Sequence, residues 1–421
     1  MAKGQLVGVL LGLGLALGAC NRGDSDGQTG TEAVAATDSA TRGTFGYDLG
    51  FLRKHGPVVV LSSPDSRAQV LVSPAYQGRV MTSTASGAAG DSYGWINYAL
   101  IASGKTVPHM NAFGGEDRFW LGPEGGQFGL YFKKGDPFDL AHWQTPAPLD
   151  TEPYEVVART PSAVSFRKAF RLENHSGTPF DVRVDRRVSL VSRIMADSAL
   201  GMPIPDSVQF VSFFSDNRLT NTGQTAWTPA TGLLSVWILG MFTPSPATTI
   251  VIPYHDPAAG RVVNDEYFGK VPADRLKVAS GLLFFRGDGQ YRSKIGLSPA
   301  RAKDVMGSYD AQRRVLTLVL FTLPPGRLDY VNSAWETQQE PYRGDVVNSY
   351  NDGPPAPWAK PMGPFYELES SSPAAALKPG ESLRHIHQTF HLQGPEAALN
   401  SVAIRVLGVS LDQVKTAFPP K

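Results

Sequence analysis

The chain has 421 residues with 39 basic and 38 acidic side chains, which gives a formal net charge of +1. Because the basic residues are neither in excess nor clustered, electrostatics gives no support to a nucleic-acid partner, and we expect none. Cys20 is the only cysteine, which excludes a disulfide framework within the chain and a metal centre built from cysteines.

The N-terminus has the pattern of a secretory signal. Lys3 supplies a positive charge, residues 6–17 form an uncharged apolar run, and two small residues precede Cys20. The run is shorter than the stretch of about 20 apolar residues that a membrane-spanning helix needs. We therefore predict a cleaved signal peptide over residues 1–19.

The tetrapeptide Leu17-Gly18-Ala19-Cys20 resembles the lipobox of bacterial lipoproteins, which has a leucine three residues before the cysteine. The resemblance implies that the Cys20 thiol carries a diacylglycerol and that its new amino group carries a further acyl chain. More than one chain is needed for stable anchoring to a membrane. Asn21 follows, where an aspartate would resemble an inner-membrane retention signal. We therefore expect a protein of the bacterial cell envelope that is lipid-anchored at the outer membrane and faces the periplasm.

The mature chain consists of two parts that differ in amino-acid composition. Residues 20–43 are mainly Gly, Ser, Thr, Ala and Asp, so they bury too little apolar surface to fold and are predicted to form a flexible tether behind the lipidated Cys20. Residues 44–421 have the composition of a globular protein. We predict that they form one domain.

The predominant pattern in the globular part is that of β-strands. Phe180, Val182 and Val184 alternate with polar residues, as in half-buried strands, and residues 315–321 are apolar on both faces. The clearest helical stretches are 396–407 and 411–418, with a serine positioned to cap the second. Many strands and few helices predict a mainly β protein made of packed antiparallel sheets.

A first candidate site lies in residues 109–127, which combine glycine turns with aromatic and charged side chains. The glycine turns leave Glu116, Asp117, Arg118, Trp120 and Glu124 free to point into a shared space, and we expect His109 and Asn111 to contribute to the same site. A tryptophan beside an arginine and carboxylates suits a sugar, because the ring covers the C–H face and the charged groups bind hydroxyls. The alternative is a structural corner, in which Arg118 pairs with a nearby carboxylate and Trp120 belongs to the core.

A second candidate site lies in residues 335–369, a long Pro-rich segment. Its predicted ligand-binding side chains are Tyr350, Asn351, Asp352 and Glu367, and we expect Tyr350 or Trp358 to form a second stacking platform in addition to Trp120.

Glu367 and Glu369 share one face of a predicted strand, where mutual repulsion can raise one pKa and prepare a general acid or base. The alternative is that an arginine such as Arg118 pairs with each of them.

No metal or other cofactor is expected. His385, His387 and His391 share one strand face, but six residues of strand span about 20 Å, so the outer two cannot bind one ion. His385 and His387 could pair, but an exposed or hydrogen-bonded face is the better interpretation. Glycine-rich phosphate loops are absent from the sequence.

Three stretches resemble the galactose-mutarotase-like superfamily and, within it, a group of exported bacterial lipoproteins. They are the block at 114–126, which begins Gly-Gly-Glu-Asp-Arg-Phe-Trp, the strand at 365–373 and the turn at 377–382. The resemblance implies a supersandwich of antiparallel sheets with a sugar groove on one concave side.

In aldose epimerases of this superfamily a glutamate removes the proton of the anomeric hydroxyl and a histidine protonates the ring oxygen. Glu369 matches the glutamate. Phe113 occupies the place of the histidine beside the double glycine, which leaves His109, further upstream, as the candidate acid, and the strand at 235–240 lacks the second histidine.

Three functions remain open: a lipid-anchored carbohydrate-binding protein, a sugar 1-epimerase or related carbohydrate enzyme using Glu369 as general base, and a non-catalytic envelope scaffold. An acid close to Glu369 would favour the enzyme, whereas a groove filled by side chains would favour the scaffold. In the first two cases we expect Arg118, Trp120, Glu124 and Glu369 to converge in one groove.

Overall fold

Antiparallel sheets dominate the structure, a computed structural model that describes residues 41–256, 260–356 and 358–419. The predicted signal peptide, Cys20 and all but the last three residues of the predicted tether lie outside these residues. The strands in chain order are β1 Val59–Ser62, β2 Gln69–Ser73, β3 Arg79–Thr84, β4 Arg118–Gly122, β5 Glu155–Thr160, β6 Ala163–Glu173, β7 Pro179–Leu190, β8 Gln209–Asn221, β9 Ser235–Phe242, β10 Thr248–Pro253, β11 Leu276–Ala279, β12 Leu282–Arg286, β13 Ser293–Leu297, β14 Val305–Asp310, β15 Val315–Phe321, β16 Val347–Asn351, β17 Tyr366–Ser371 and β18 Ser382–Gln393.

The strands form three sheets. A ten-stranded sheet has the order β11-β12-β10-β14-β15-β18-β8-β7-β6-β5, a five-stranded sheet has the order β13-β16-β17-β9-β4, and β1-β2-β3 form a small third sheet. Neighbouring strands are antiparallel throughout. The predicted fold class, a mainly β sandwich of antiparallel sheets, is confirmed.

The hydrophobic pattern of each strand matches its neighbours. Val182 and Val184 in β7 are fully buried, in agreement with the predicted alternation. β15 is apolar on both faces because it is covered on both: Leu316 and Leu318 pack in the same cluster as α5, and Val319 packs against the five-stranded sheet. At β15 the ten-stranded sheet therefore lies between the C-terminal helices and the five-stranded sheet.

Helices are short and peripheral. They are α1 Phe45–His55, α2 Tyr98–Ser103, α3 Ala147–Asp150, α4 Arg193–Leu200, α5 Glu396–Leu407 and α6 Leu411–Lys415, with a 3-10 turn at Pro74–Tyr76. The two predicted C-terminal helices are confirmed as α5 and α6, and Ser410 caps α6 in a capping box. Across the described ranges, no helix is both long and apolar enough to cross a membrane.

Buried histidines join the two large sheets. Ser370 of β17 is hydrogen-bonded to His385 Nε2 and His387 Nδ1 of β18, both at 2.8 Å. His391 Nε2 lies 2.8 Å from a carboxylate oxygen of Glu116. Of the two predicted alternatives, the hydrogen-bonded face is therefore confirmed and the exposed face is wrong, because all three histidines are buried. Among the residues that the structure describes, no group of three or more His, Cys, Asp or Glu side chains could hold a metal ion.

The two histidines beside Ser370 are expected to make the fold sensitive to acid. Burial lowers the pKa of His385 to about 3 and that of His387 to about 4, whereas an exposed histidine titrates near about 6.5. As pH falls below about 6.5 the unfolded chain binds protons that the folded chain does not, so the free energy of unfolding decreases. Each histidine lowers the free energy of unfolding by up to about 1.4 kcal/mol for each pH unit below about 6.5.

The measurement is urea denaturation of the wild type and of a His385→Gln/His387→Asn double variant at about pH 7 and about pH 5. Each new amide retains a polar atom near the nitrogen that contacts Ser370 but does not titrate. Because buried carboxyls such as Glu367 titrate in both proteins, their contribution cancels in the comparison. We expect stability to fall further in the wild type, and an equal fall in both proteins would contradict the prediction.

Candidate functional site

One face of the five-stranded sheet collects the charged and aromatic residues of both candidate segments. Arg118, Leu239, Glu369 and Asn348 are aligned across four strands by the register. A second row, displaced by two residues along the strands, contains Glu367. Residues that are directly paired in neighbouring strands lie on the same face of the sheet. We call the polar and aromatic side chains of this face the polar face: Arg118, Trp120, Trp237, Lys294, Asn348, Tyr350, Glu367 and Glu369.

Glu369 lies at the centre of the polar face and has no solvent exposure. Its Oε2 accepts hydrogen bonds from Trp237 Nε1 at 2.9 Å and from Lys294 Nζ at 3.0 Å. Its Oε1 is buried and, among the described residues, has no hydrogen-bond partner. A buried acceptor without a hydrogen-bond donor is unfavourable. A hydroxyl of a ligand that donates to Glu369 Oε1 would remove this cost.

Glu367 forms the second ion pair of the polar face, with Arg118. Arg118 Nη2 donates to Glu367 Oε1 at 3.0 Å, and both side chains are buried. Burial raises the pKa of Glu367 to about 8, the Arg118 guanidinium opposes that rise, and the Glu369 charge adds to it. The raised pKa expected for two carboxylates on one face is therefore present, with burial as its main cause. The alternative in which Arg118 pairs with a carboxylate also holds, for Glu367.

Trp120 is part of the core. It is 3% exposed, and its Nε1 donates to the carbonyl oxygen of Leu149 at 3.1 Å. The guanidinium of Arg118 lies 4.2 Å from its ring centre. The ring therefore offers no open surface for a sugar, and the structural-corner alternative describes it better than the expected stacking platform.

Glu124 is half-buried at the margin of this region. Its Oε1 accepts a hydrogen bond from Trp335 Nε1 at 3.0 Å. Burial raises the pKa of Glu124, the Lys294 charge lowers it, and the Glu369 charge raises it. Glu124 therefore belongs to the same electrostatic environment as Glu369.

Tyr350 and Asn351, two further predicted residues, point to opposite faces of the sheet from β16. Tyr350 is on the polar face, and its hydroxyl donates to Asp352 Oδ1 at 2.9 Å. Burial raises the pKa of Asp352 to about 6, and the backbone N–H of Gly363 opposes that rise. Asn351 has the opposite parity, and its side chain holds the backbone of Gly289 and Tyr291. Asn351 therefore supports a loop behind the polar face, in contrast to the expected ligand contact.

Trp358, in the loop after Asp352, is 87% exposed and faces solvent. It therefore does not form the second stacking platform over the polar face that the sequence suggested.

The two predicted residues of the upstream loop are occupied by local contacts. His109 Nδ1 lies 2.6 Å from the carbonyl oxygen of Trp143, and the backbone N–H of His109 donates to Gln144. Asn111 is 2% exposed, and its side chain donates to Asp150. In the described parts of the chain, no hydrogen bond joins His109 to Glu369. His109 therefore lacks the contact expected of an acid partner to Glu369.

The glycine-rich block at 114–126 begins with a tight turn and then contacts the ten-stranded sheet. Gly114 has φ +98°, and a Cβ there would lie 2.1 Å from the carbonyl oxygen of Trp95, so the turn requires glycine. Beyond this turn, Glu116 and Asp117 bond to His391 and Arg186 of the ten-stranded sheet. The expectation that these two carboxylates share a space with Arg118 is therefore wrong, because the chain passes between two layers at this point.

Lys294, Trp237, Asn348 and Tyr267 are site residues that the sequence did not indicate. Tyr267 donates to Asp345 Oδ2 at 2.6 Å and accepts from Asn348 Nδ2 at 3.0 Å. The Lys294 ammonium lies 4.8 Å from the ring centre of Trp237 and 5.6 Å from that of Tyr267. The only available signal was the alternation in β13, which gives Lys294 a parity opposite to that of its buried neighbours.

A cavity of about 630 Å³ lies outside the polar face. Its lining includes Arg42, Asp48, Trp95 and Tyr98, and it contains none of the predicted site residues. Trp95 lies between the two regions, because it lines the cavity and its ring also contacts Phe365 within the cluster that contains Tyr350. A ligand in this cavity would therefore be distinguishable from a ligand on the polar face.

Several solved structures are similar to this one. The Slr1438 protein from Synechocystis sp. PCC 6803 has a TM-score of 0.51 and 13% identity, over 81% of this chain and 96% of that one. A galactose mutarotase related enzyme from Lactobacillus acidophilus has a TM-score of 0.45 and 10% identity over 80% and 97% of the chains. A galactose mutarotase-like protein from Lactobacillus casei has the same two values over 80% and 100%. The predicted resemblance is confirmed as a likeness of fold.

The sequence comparisons give one assignment. No curated protein matches the chain. The family described as "Family of unknown function (DUF6786)" matches residues 43–418, which begin where the predicted tether ends and include every described strand and helix. The chain therefore belongs to the DUF6786 family.

Proposed function

We propose that this protein binds a carbohydrate at the polar face and that Glu369 contacts the sugar. The observation that carries the proposal is the buried Glu369 Oε1, which lacks a donor while Oε2 is held by Trp237 and Lys294. A sugar hydroxyl donates and accepts at once, so it can satisfy Oε1 and also receive a hydrogen bond from Lys294 or Asn348. The likeness of fold to galactose mutarotase-like proteins is consistent with this ligand class.

Lys294 controls access to the site. Its side chain is 12% exposed, whereas Glu369 has no exposure, so an incoming ligand meets the lysine first. A sugar reaches Oε1 when the flexible lysine side chain moves away from Oε2. A face that stays closed would instead fit the third hypothesis, the non-catalytic scaffold.

A second candidate function is a sugar 1-epimerase with Glu369 as general base. The specific observation in its favour is that Lys294, a group able to donate a proton, lies 3.0 Å from Glu369. Epimerisation at the anomeric carbon needs an acid as well as a base, because the ring oxygen gains a proton as the hydroxyl loses one.

Calorimetric titration with D-galactose and D-glucose tests the binding proposal. We expect Glu369→Ala to weaken binding by about tenfold or more, since a hydrogen bond to a charged group contributes about 1.5–3 kcal/mol. Asp48→Asn is the matched control, a buried carboxyl in the separate cavity, and we expect it to leave affinity unchanged. Loss of binding in Asp48→Asn alone would place the sugar in the cavity, and no binding by the wild type would favour the scaffold.

We further propose that Cys20 anchors the protein by lipid to the outer membrane. The support is the lipobox-like sequence that ends a signal peptide, followed by Asn21. Cys20→Ala is expected to abolish incorporation of a palmitate analogue and to leave the chain uncleaved or released from the membrane. Labelling that persists in the variant would contradict the proposal.

A further inference from the structure

We propose that Lys294 is the proton donor to the ring oxygen of the sugar, the role for which the sequence offered only His109. This inference rests on the epimerase form of the proposed function. It assigns to a lysine on an edge strand of the five-stranded sheet the task that a histidine performs in the aldose epimerases that the chain resembles.

The geometry of the reaction selects Lys294 among the candidate acids. The anomeric hydroxyl and the ring oxygen are bonded to the same carbon, so the acid and the base must lie side by side. Lys294 Nζ is 3.0 Å from Glu369 Oε2. Glu367 is two residues along the strand, about 7 Å away at the backbone, and it is held by Arg118. His109 is bonded to the carbonyl oxygen of Trp143.

The rings around Lys294 keep an ammonium in place when a sugar displaces it from Oε2. Trp237 and Tyr267 have ring centres 4.8 Å and 5.6 Å from Nζ. Rings at this distance attract a cation. The displaced ammonium therefore stays at the edge of the sugar, beside the ring oxygen, while Glu369 Oε1 faces the anomeric hydroxyl.

The proposed step balances without any further reactant. Glu369 takes the proton of the anomeric hydroxyl, the C1–O1 bond becomes a carbonyl, the bond between C1 and the ring oxygen breaks, and Lys294 gives one proton to the ring oxygen. The open-chain aldehyde rotates about the bond between C1 and C2. Ring closure reverses every transfer: the neutral amine of Lys294 recovers its proton, and Glu369 returns its proton to O1.

Two variants of Lys294 separate proton donation from simple charge pairing. Lys294→Arg retains a cation opposite Glu369 but donates a proton poorly, because the pKa of a guanidinium is well above that of a lysine ammonium. Lys294→Met removes both properties. Anomer interconversion of D-galactose and D-glucose is measured by NMR exchange, and affinity by calorimetry. We expect both variants to lose about 100-fold or more in turnover, the usual contribution of a general acid, while the arginine variant still binds sugar.

Each result decides the inference. Turnover retained in Lys294→Arg would overturn it and leave Lys294 as a counter-charge that positions Glu369. Sugar binding by the wild type without accelerated interconversion of either sugar would overturn it and leave the carbohydrate-binding proposal standing. No binding by the wild type would overturn both. Equal melting temperatures of the arginine variant and the wild type exclude misfolding as the cause of a loss.

Discussion

On the epimerase proposal, Glu369→Gln is expected to lower the rate of anomer interconversion by about two to four orders of magnitude, the usual contribution of a general base, whereas a protein that only binds sugar would keep its ligand with a modest change in affinity. Glutamine has the shape of glutamate, and its amide oxygen can still accept from Trp237 and Lys294. It loses the acceptor at Oε1, the only buried oxygen of the carboxylate without a partner in the described residues. The measurement is NMR exchange with D-galactose, with affinity determined on the same preparation.

Glu367→Gln is the matched control, on the same strand and the same face. Glu367 is held by Arg118, so its loss is expected to change turnover much less than the loss of Glu369. Equal losses in the two variants would contradict the assignment of Glu369 as the base. Unchanged turnover in Glu369→Gln, with sugar still bound and interconverted, would remove Glu369 from the chemistry altogether.

Asp117→Ala is expected to lower the free energy of unfolding by about 3–5 kcal/mol, because it leaves a buried charge without its partner. Arg186 Nη2 lies 2.6 Å from Asp117 Oδ1, and both side chains have no exposure. Arg186 also donates to Asn217 and to the carbonyl oxygen of Gly78, so it joins the glycine-rich block to the ten-stranded sheet. Urea denaturation measures the loss.

Asp329→Ala is the control for the ion pair. Its partner, Arg327, lies at 2.7 Å, and both side chains are about half exposed, so a change of only about 0–1 kcal/mol is expected. Replacing both partners of the buried pair, as in Arg186→Met/Asp117→Leu, is expected to be milder than Asp117→Ala, because no unpaired charge remains. A loss in Asp117→Ala no larger than in Asp329→Ala would show that the buried pair does not stabilise the junction.

The strands and the C-terminal helices could be predicted because their signals are local. Alternating burial in β7 and apolar residues on both faces of β15 depend on residues that are adjacent in sequence. Ser410 and Gln413 form the capping box of α6 within four residues. Helix α1 was not predicted because its pattern of apolar residues is weak. Its main local signal is the N-cap Thr44, whose side chain accepts a hydrogen bond from the backbone N–H of Tyr47.

The candidate site was only partly predictable because its composition depends on sheet order. Arg118 and Glu367 are 249 residues apart in sequence, and β9 brings their strands together. Lys294 and Trp237 enter the site from strands without any distinctive motif, and pairing between distant strands has no local signature. Parity decides the remaining cases: Tyr350 faces the site, and Asn351 cannot, since successive side chains of a strand point to opposite faces.

A crystal structure of the protein soaked with D-galactose tests the central claim most directly. We expect the sugar on the polar face, with its anomeric oxygen within hydrogen-bonding distance of Glu369 Oε1 and its ring oxygen beside Lys294 Nζ. Galactose bound in the cavity beside Arg42 and Trp95, with the bond between Lys294 and Glu369 intact, would contradict the claim.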